Sequence, residues 1–138
     1  MEVTRDKLTE RQSKTDLDGE TAALALVIEY DGTPIGDVAL WLTDKDHRQG
    51  EIGWVLNPAY GGQGFASEAV RAVLALGLDH YHLHRITAQM DARNSASAAL
   101  ANRVGLRLEA HHVQDWFSKG EWTDTLIYAR LASENFSQ

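Results

Sequence analysis

Residues 50–69 constrain this chain more than any other stretch. They read as a strand, a glycine loop and the start of a helix. Ile52 to Leu56 is apolar and stops at Asn57-Pro58, a turn signal that ends a strand. Gly61, Gly62 and Gly64 follow within four residues. Apolar or small residues then recur at Ala66, Ala69, Val70, Val73, Leu74, Gly77 and Tyr81, the spacing of a helix with one buried face. A glycine loop that opens a helix leaves backbone N–H groups without intrahelical partners at the positive end of the helix dipole. The chemistry this predicts is an anion site for a phosphate-bearing ligand over residues 61–66. The plain alternative is a glycine-rich turn, but three glycines in four residues exceed what one turn needs.

The 138 residues suit one domain, here 1–138, with a short N-terminal segment (1–20) and a tail (132–138). With 43% hydrophobic and 24% charged residues, the chain has the composition of a globular protein. No run of 18 apolar residues and no signal-peptide pattern is present, so the expectation is no membrane partner and a cytoplasmic location. The chain has no cysteine, which excludes disulfides, thiolate catalysis and cysteine metal sites within it. A net charge of −7 argues against nucleic acid as partner and suits a cationic acceptor such as an amine.

Taken in order, residues 1–18 are polar, and a short helix over Arg5–Lys14 or a frayed end is expected. Ala22–Tyr30 and Ile35–Leu42 read as strands joined by a hairpin at Asp31-Gly32-Thr33-Pro34. With Glu51–Leu56 they predict an antiparallel meander. The helix, predicted over Gly64–Tyr81, crosses to a strand at Arg85–Asp91, where Ile86, Ala88 and Met90 alternate with Thr87 and Gln89. Strand, helix and strand make a right-handed crossover, so 52–56 and 86–91 should run parallel. Asn94 and Ser95 offer caps for a short helix with Ala96, Ala99, Leu100 and Val104 on one face and Gly105 at its end. Leu106–Phe117 and Glu121–Leu131 form a last hairpin around Ser118-Lys119-Gly120.

Three phosphate motifs compete for the loop. A Walker-type loop needs Lys-Ser or Lys-Thr after its last glycine, and Gly64-Phe65-Ala66 has neither. A dinucleotide fingerprint would fall at 62–67, with Ser67 in the third glycine position. Its fold begins with the glycine strand, whereas a meander comes first here. The third motif fits local and global order together. The ordered set runs from Ile52–Pro58 and Gly61–Ala69 through Asn94-Ser95-Ala96-Ser97 and Val104-Gly105-Leu106 to Gly120–Asp124. It resembles the GNAT superfamily of acyl-CoA-dependent N-acetyltransferases, over roughly residues 20–131. Within that superfamily it is similar to the branch that acetylates ribosomal-protein N-termini. The implied fold is α/β: a mixed, mostly antiparallel sheet with a β-α-β crossover that binds acetyl-CoA.

The resemblance implies roles for particular residues. The family loop pattern, Arg or Gln, two variable residues, Gly, one variable residue, then Gly or Ala, falls on Gly61, Gly64 and Ala66. Gly61 departs from it, removing a side chain but not the amides. Gly61, Gly62, Gln63, Gly64, Phe65 and Ala66 are thus the expected pyrophosphate site. The family's third strand carries a bulge and splays from the next parallel strand; pantetheine pairs with its backbone, here at Val55 and Leu56. A freed amide there stabilises the oxyanion. Asn94 and Ser97 match an Asn-x-x-Ser pattern, placing Asn94 on coenzyme A amides and Ser97 by the thioester sulfur. On spacing alone the same two residues are a helix cap and a first-turn residue. Many relatives use a tyrosine as general acid at the position of Ala101, so Ser97 or a water it orients is the candidate acid. Asp115 and Glu51, with His111 and His112, are the candidate bases, and Asp115 lies beside the position, here Trp116, where the branch can carry a glutamate. A strand side chain in solvent is the plain reading of each.

The remaining features carry less. His80, His82 and His84 alternate as metal ligands can, but at a helix-to-strand junction with no further ligand at suitable spacing, so no metal is expected. Trp41, Trp54, Trp116 and Trp122 read as core, with Trp116 and Trp122 also placed to wall an acceptor pocket. The family has a strand and one or two helices before its meander; about 20 residues precede it here, which predicts an exposed sheet face and favours a homodimer. The leading expectation is an N-acetyltransferase taking acetyl-CoA and an amine acceptor. A non-catalytic coenzyme A module, and a nucleotide-dependent oxidoreductase resting on 62–67, are the alternatives.

Overall fold

The computed structural model describes residues 8–18 and 22–134. Among these residues seven strands form one sheet: β1 (Leu8–Asp16), β2 (Ala23–Tyr30), β3 (Thr33–Asp44), β4 (Gln49–Leu56), β5 (Arg85–Asp91), β6 (Arg107–Ser118) and β7 (Glu121–Leu131). Their order is β1-β2-β3-β4-β5-β7-β6. Every neighbouring pair is antiparallel except β4 and β5. Helix α1 (Phe65–Ala75) connects β4 to β5, and helix α2 (Ser95–Arg103) follows β5.

Alternation decides which face is buried. Leu24, Leu26 and Ile28 on β2, Val38 and Leu40 on β3, Ile52 on β4 and Ile86 and Ala88 on β5 share one core with Val70, Val73 and Leu74 of α1. Leu100, Ala101 and Val104 of α2 complete it. α1 buries this stripe because its apolar positions recur at helical spacing. Gly105, at φ 94°, ends α2 in the left-handed conformation that glycine adopts without strain.

Several expectations are corrected. Residues 8–16 are a strand, not a helix or a frayed end, and the meander has four strands. Their sequence shows no apolar alternation; pairing with the outer edge of β2 sets their conformation, as tertiary context commonly does for strands. The part of the expected helix over 5–7 lies outside the described residues. The first hairpin turns on Asp31 and Gly32 alone, at φ 54° and 81°, and Thr33-Pro34 already belongs to β3. α1 stops at Ala75 and passes into one π-helical turn at Leu76–His80. There is no bulge in β4: its register with β3 runs unbroken from Gly50 to Leu56. The irregularities next to it lie in β3, at Ile35 against β2 and at Thr43 against β4.

The parallel joint is short. β4 pairs with β5 only through Gln49–Arg85, Gly50–Ile86 and Glu51–Thr87, and beyond Glu51 the two strands separate. The expected parallel run of 52–56 against 86–91 is therefore a fork. It opens toward the C-terminal ends of both strands, next to the start of α1.

Candidate functional site

A cleft of about 670 Å³ lies at this fork. Its walls come from the end of β4 (Trp54, Val55, Leu56), the glycine loop, the first turn of α1, and α2. Asn57 and Pro58 build the approach. The Asn57 side chain accepts from the Ala59 N–H at 3.0 Å, and a short 3-10 turn runs over Pro58–Tyr60. The Gly61 N–H is used in that turn, donating to the Pro58 carbonyl at 3.1 Å. Gly62 and Gly64 sit at φ 76° and 85°, where side chains are strained. Gly61 does not: its φ of −72° is ordinary extended backbone.

Gly64 caps α1 without a side chain, and the Glu68 N–H donates back to the Gly64 carbonyl at 3.0 Å. The amides of Phe65, Ala66 and Ser67 therefore precede the first helical hydrogen bond and face the loop. Their dipole is positive there. The Phe65 ring, 1% exposed, packs against Tyr30 and Tyr60 with centroids 5.1 and 6.0 Å away, so this residue meets the cleft by its backbone.

The backbone of β4 is committed on one side and open on the other. Asn57 N donates to Ile35 O at 2.7 Å, and the Val55 carbonyl lies against Gly36 of β3. Strand alternation turns the amides and carbonyls of Trp54 and Leu56 the other way, toward the gap beyond Glu51. Val55 lines the cleft and is 65% exposed, but its backbone faces β3. Trp54 and Leu56, rather than Val55 and Leu56, are the residues whose main chain faces the gap.

Asn94 caps α2, accepting from the Ser97 N–H at 3.0 Å. The Ser97 hydroxyl accepts from the Trp54 indole N–H at 3.2 Å, across the cleft wall. Asn94 and Ser97 both line the cleft. The cap and the lining role thus coexist. Ala101 is fully buried and Leu100 holds the cleft side of α2. Arg103, also in the lining, donates from Nε to Ser67 Oγ at 2.9 Å.

Gln63 and the four candidate bases, Glu51, Asp115, His111 and His112, stand outside this lining. Gln63 is exposed on the loop. Glu51 lies at the fork itself, paired with Trp41 and Thr87, on the opposite face from buried Ile52. Burial raises its carboxyl pKa. Asp115 lies in the irregular stretch of β6, where its carboxylate accepts from Thr125 Oγ1 at 2.7 Å and stands 3.4 Å from His112 Nδ1. Beside it Asp124 accepts from the Gln114 N–H at 2.7 Å and pairs with His111 at 2.8 Å, and these contacts hold its pKa low. A second hollow of about 370 Å³ adjoins these residues, walled by Asp91, Arg93, Trp116, Glu121 and Thr125 among others. Trp116 (64% exposed) and Trp122 are not core; Trp122 packs edge-on to Phe117 at 5.2 Å. His80 stacks edge-on to Tyr81 at 4.7 Å, and among the described residues no three metal-ligating side chains converge.

Sequence reasoning missed Trp54 and Arg103. Both depend on contacts between residues more than 30 positions apart, which periodicity does not report.

The architecture and the cleft define a family. Residues 1–107 match the model of the acetyltransferase (GNAT) domain, and the chain belongs to this family. Among curated proteins it is 36% identical over 100 residues to the uncharacterized N-acetyltransferase YnaD of Bacillus subtilis (strain 168), covering 72% of this chain and 58% of that protein. It is 24% identical to the spermidine N(1)-acetyltransferase of Escherichia coli (strain K12), covering 72% of this chain and 54% of that one. Among solved structures, a GNAT-family acetyltransferase from Bacillus anthracis superposes with a TM-score of 0.73 at 31% identity, over 81% of this chain and 67% of that chain. Mycobacterium smegmatis RimJ in complex with CoA-disulfide gives 0.73 at 31% identity, over 80% and 53%. This chain thus spans a little over half the length of the two curated relatives named. No helix among the described residues is long and apolar enough to cross a membrane.

Proposed function

We propose that this chain is an acetyl-CoA-dependent N-acetyltransferase that moves an acetyl group to a primary amine by direct attack in a ternary complex. The observation that carries the reading is the fork. A helix start with free amides and a strand edge with free amides open onto one cleft. Coenzyme A has the matching order of groups, a diphosphate followed by an amide-bearing arm and a terminal sulfur. In this reading the amides of residues 62–66 hold the diphosphate, and the edge of Trp54 and Leu56 pairs with the pantetheine amides. Asn94 bonds a further amide of that arm. The solved structure of Mycobacterium smegmatis RimJ in complex with CoA-disulfide supports this assignment.

The amine must first lose a proton. Glu51 at the base of the fork, with its carboxyl pKa raised by burial, is the candidate base, and Asp115 with His112 beside the second hollow is the alternative. The neutral nitrogen attacks the thioester carbon and a C–N bond forms. Negative charge gathers on the former carbonyl oxygen, where a strand amide meets it. The carbonyl re-forms as the C–S bond breaks, and the leaving thiolate takes a proton from Ser97 or from a water that Ser97 orients. The attacking nitrogen gives up its remaining extra proton, which restores that group directly or through solvent. The products are an amide and free coenzyme A.

For the acceptor, a protein N-terminus and a polyamine are the two kinds in view, the second because relatives include spermidine acetyltransferases. The net charge of −7 suits a cationic amine of either kind. A location in the cytoplasm and a homodimer complete the proposal. The test is thiol release from acetyl-CoA over a panel of polyamines and N-terminal peptides. Release accelerated by one class assigns the acceptor. Binding of coenzyme A without acceleration by any amine would make the chain a non-catalytic module, which buried Ala101 in place of a tyrosine would then explain. Thermal stabilisation by NAD and not by acetyl-CoA would overturn the reading altogether.

A further inference from the structure

The loop lacks the family's usual Arg or Gln at Gly61, which leaves its positive charge to come from elsewhere. Among the described arginines, Arg48, Arg85, Arg93 and Arg107 each pair with a carboxylate. Arg103 does not. Its Nε is tied to the hydroxyl of Ser67, a buried residue in the first turn of α1 whose own amide belongs to the anion-facing set. Its backbone carbonyl is held in turn by Arg71, at 3.0 Å. The Nε tether fixes the plane of the guanidinium and leaves both Nη groups for another acceptor. Arg103 lines the same cleft as Gly61, Gly62 and Gly64. In a chain with seven more acidic than basic charges, an arginine anchored to a hydroxyl beside a helix start, with no carboxylate partner among the described residues, is placed for an anion.

We infer that Arg103 supplies, from α2, the cationic side chain that Gly61 does not, and that it grips the diphosphate of the bound coenzyme. Ser67 acts as its positioning residue. This rests on the coenzyme A reading above, and it differs from it in naming a second element, α2, as part of the phosphate site. It also assigns the C-terminal end of α2 to the diphosphate, while Asn94 and Ser97 at the other end serve the thiol arm.

Calorimetric titration of the protein with coenzyme A, dephospho-coenzyme A and acetyl-pantetheine tests it. In Arg103→Ala, affinity for coenzyme A and for dephospho-coenzyme A should fall equally, by about tenfold, the loss typical of one charge-assisted contact. Affinity for acetyl-pantetheine, which has no phosphate, should not change. Arg103→Lys should recover part of the loss, and Ser67→Ala should show a smaller loss with the same ligand pattern. The steepness of the salt dependence should also drop in Arg103→Ala. A loss for coenzyme A alone would move the contact to the 3′-phosphate and overturn the assignment. An equal loss for acetyl-pantetheine would make Arg103 merely structural and overturn it too. If the unaltered protein binds none of the three, the coenzyme A reading itself fails; if it binds and Arg103→Ala is unaffected, only the arginine's role fails.

Discussion

The Trp54 indole donates its N–H to the Ser97 hydroxyl oxygen at 3.2 Å, joining the end of β4 to the first turn of α2. With one lone pair of the oxygen taken, the hydroxyl hydrogen is directed away from the indole. An accepting hydroxyl is also a better donor, because hydrogen bonds in series polarise one another. The tryptophan therefore orients the group proposed to protonate the leaving thiolate.

Trp54→Phe keeps the ring bulk and removes the donor. It should lower kcat about tenfold while leaving coenzyme A affinity within about twofold, as expected for a positioned proton donor rather than a binding contact. Ser97→Ala should do the same, and the double variant should be no worse than either single one. Steady-state thiol release checks all three, and additive losses would separate the two residues.

The loop glycines should not behave alike. Gly64→Asp, at φ 85° and beside the amides, should abolish coenzyme A binding by strain and by charge. Gly62→Ala, at φ 76°, should cost about 1–2 kcal/mol of strain. Gly61→Arg places the family's usual side chain on ordinary backbone, with a Cβ 3.3 Å from the Pro58 carbonyl oxygen. It should tighten coenzyme A binding about threefold. Titration calorimetry separates the three outcomes.

Gly36 is a packing test on β3, behind the end of β4. A Cβ there would lie within 2.3 Å of the Val55 carbonyl oxygen, a contact with rigid backbone. Gly36→Ala should destabilise the fold by about 1–3 kcal/mol, the range for overpacking, and disturb the end of β4. Urea unfolding gives the first quantity and coenzyme affinity reports the second.

Acid and neutral pH should act on different groups. Asp124, Asp91, Glu109 and Glu134 have pKa values held below the ordinary carboxylate range, chiefly by hydrogen bonds from Gln114, Arg93, Arg85 and the Leu131 amide respectively. Their stabilisation is present above the unfolded-state pKa and is lost as pH falls through the folded values. The melting temperature should drop as pH is taken below about 4, and Asp124→Asn should flatten that drop. Glu51 has the opposite sign. Its pKa is raised by burial, so its contribution is fully present at low pH and declines as pH rises through the folded value. Glu51→Gln should thus raise the melting temperature more at pH 7 than at pH 4, while lowering turnover.

Most of the fold was legible because its signals are local. Ile86, Ala88 and Met90 alternate through β5, and the structure bounds that strand at Arg85 and Asp91 as predicted. The last hairpin turns on Lys119 and Gly120, both at positive φ, between strands of clear β character. Polar residues 8–16 gave no such signal, since their strand state is imposed by the edge of β2. In the site, the amides of the glycine loop could be read from composition, because backbone chemistry needs only glycine and a helix start. Trp54 on Ser97 and Arg103 on Ser67 could not, because each depends on how α2 lies across the fork. The exact fork was hidden too: strands that part after Glu51 have the same apolar pattern as strands that stay paired.

If the fork holds acetyl-CoA as proposed, the short joint between β4 and β5 would link the protein's survival to its supply of that ligand. Three residue pairs connect the two halves of the sheet along this seam, and the strand edges beyond them face a cleft instead of each other. A ligand that lays its amides along those edges completes the ladder and raises the cost of opening it, by an amount set by its concentration relative to its dissociation constant. Degradation of a folded protein commonly follows the fraction of time it spends open. Such a chain would be cleared faster when acetyl-CoA is scarce and accumulate when it is plentiful, so its abundance would register the cell's acetyl supply with no dedicated regulator.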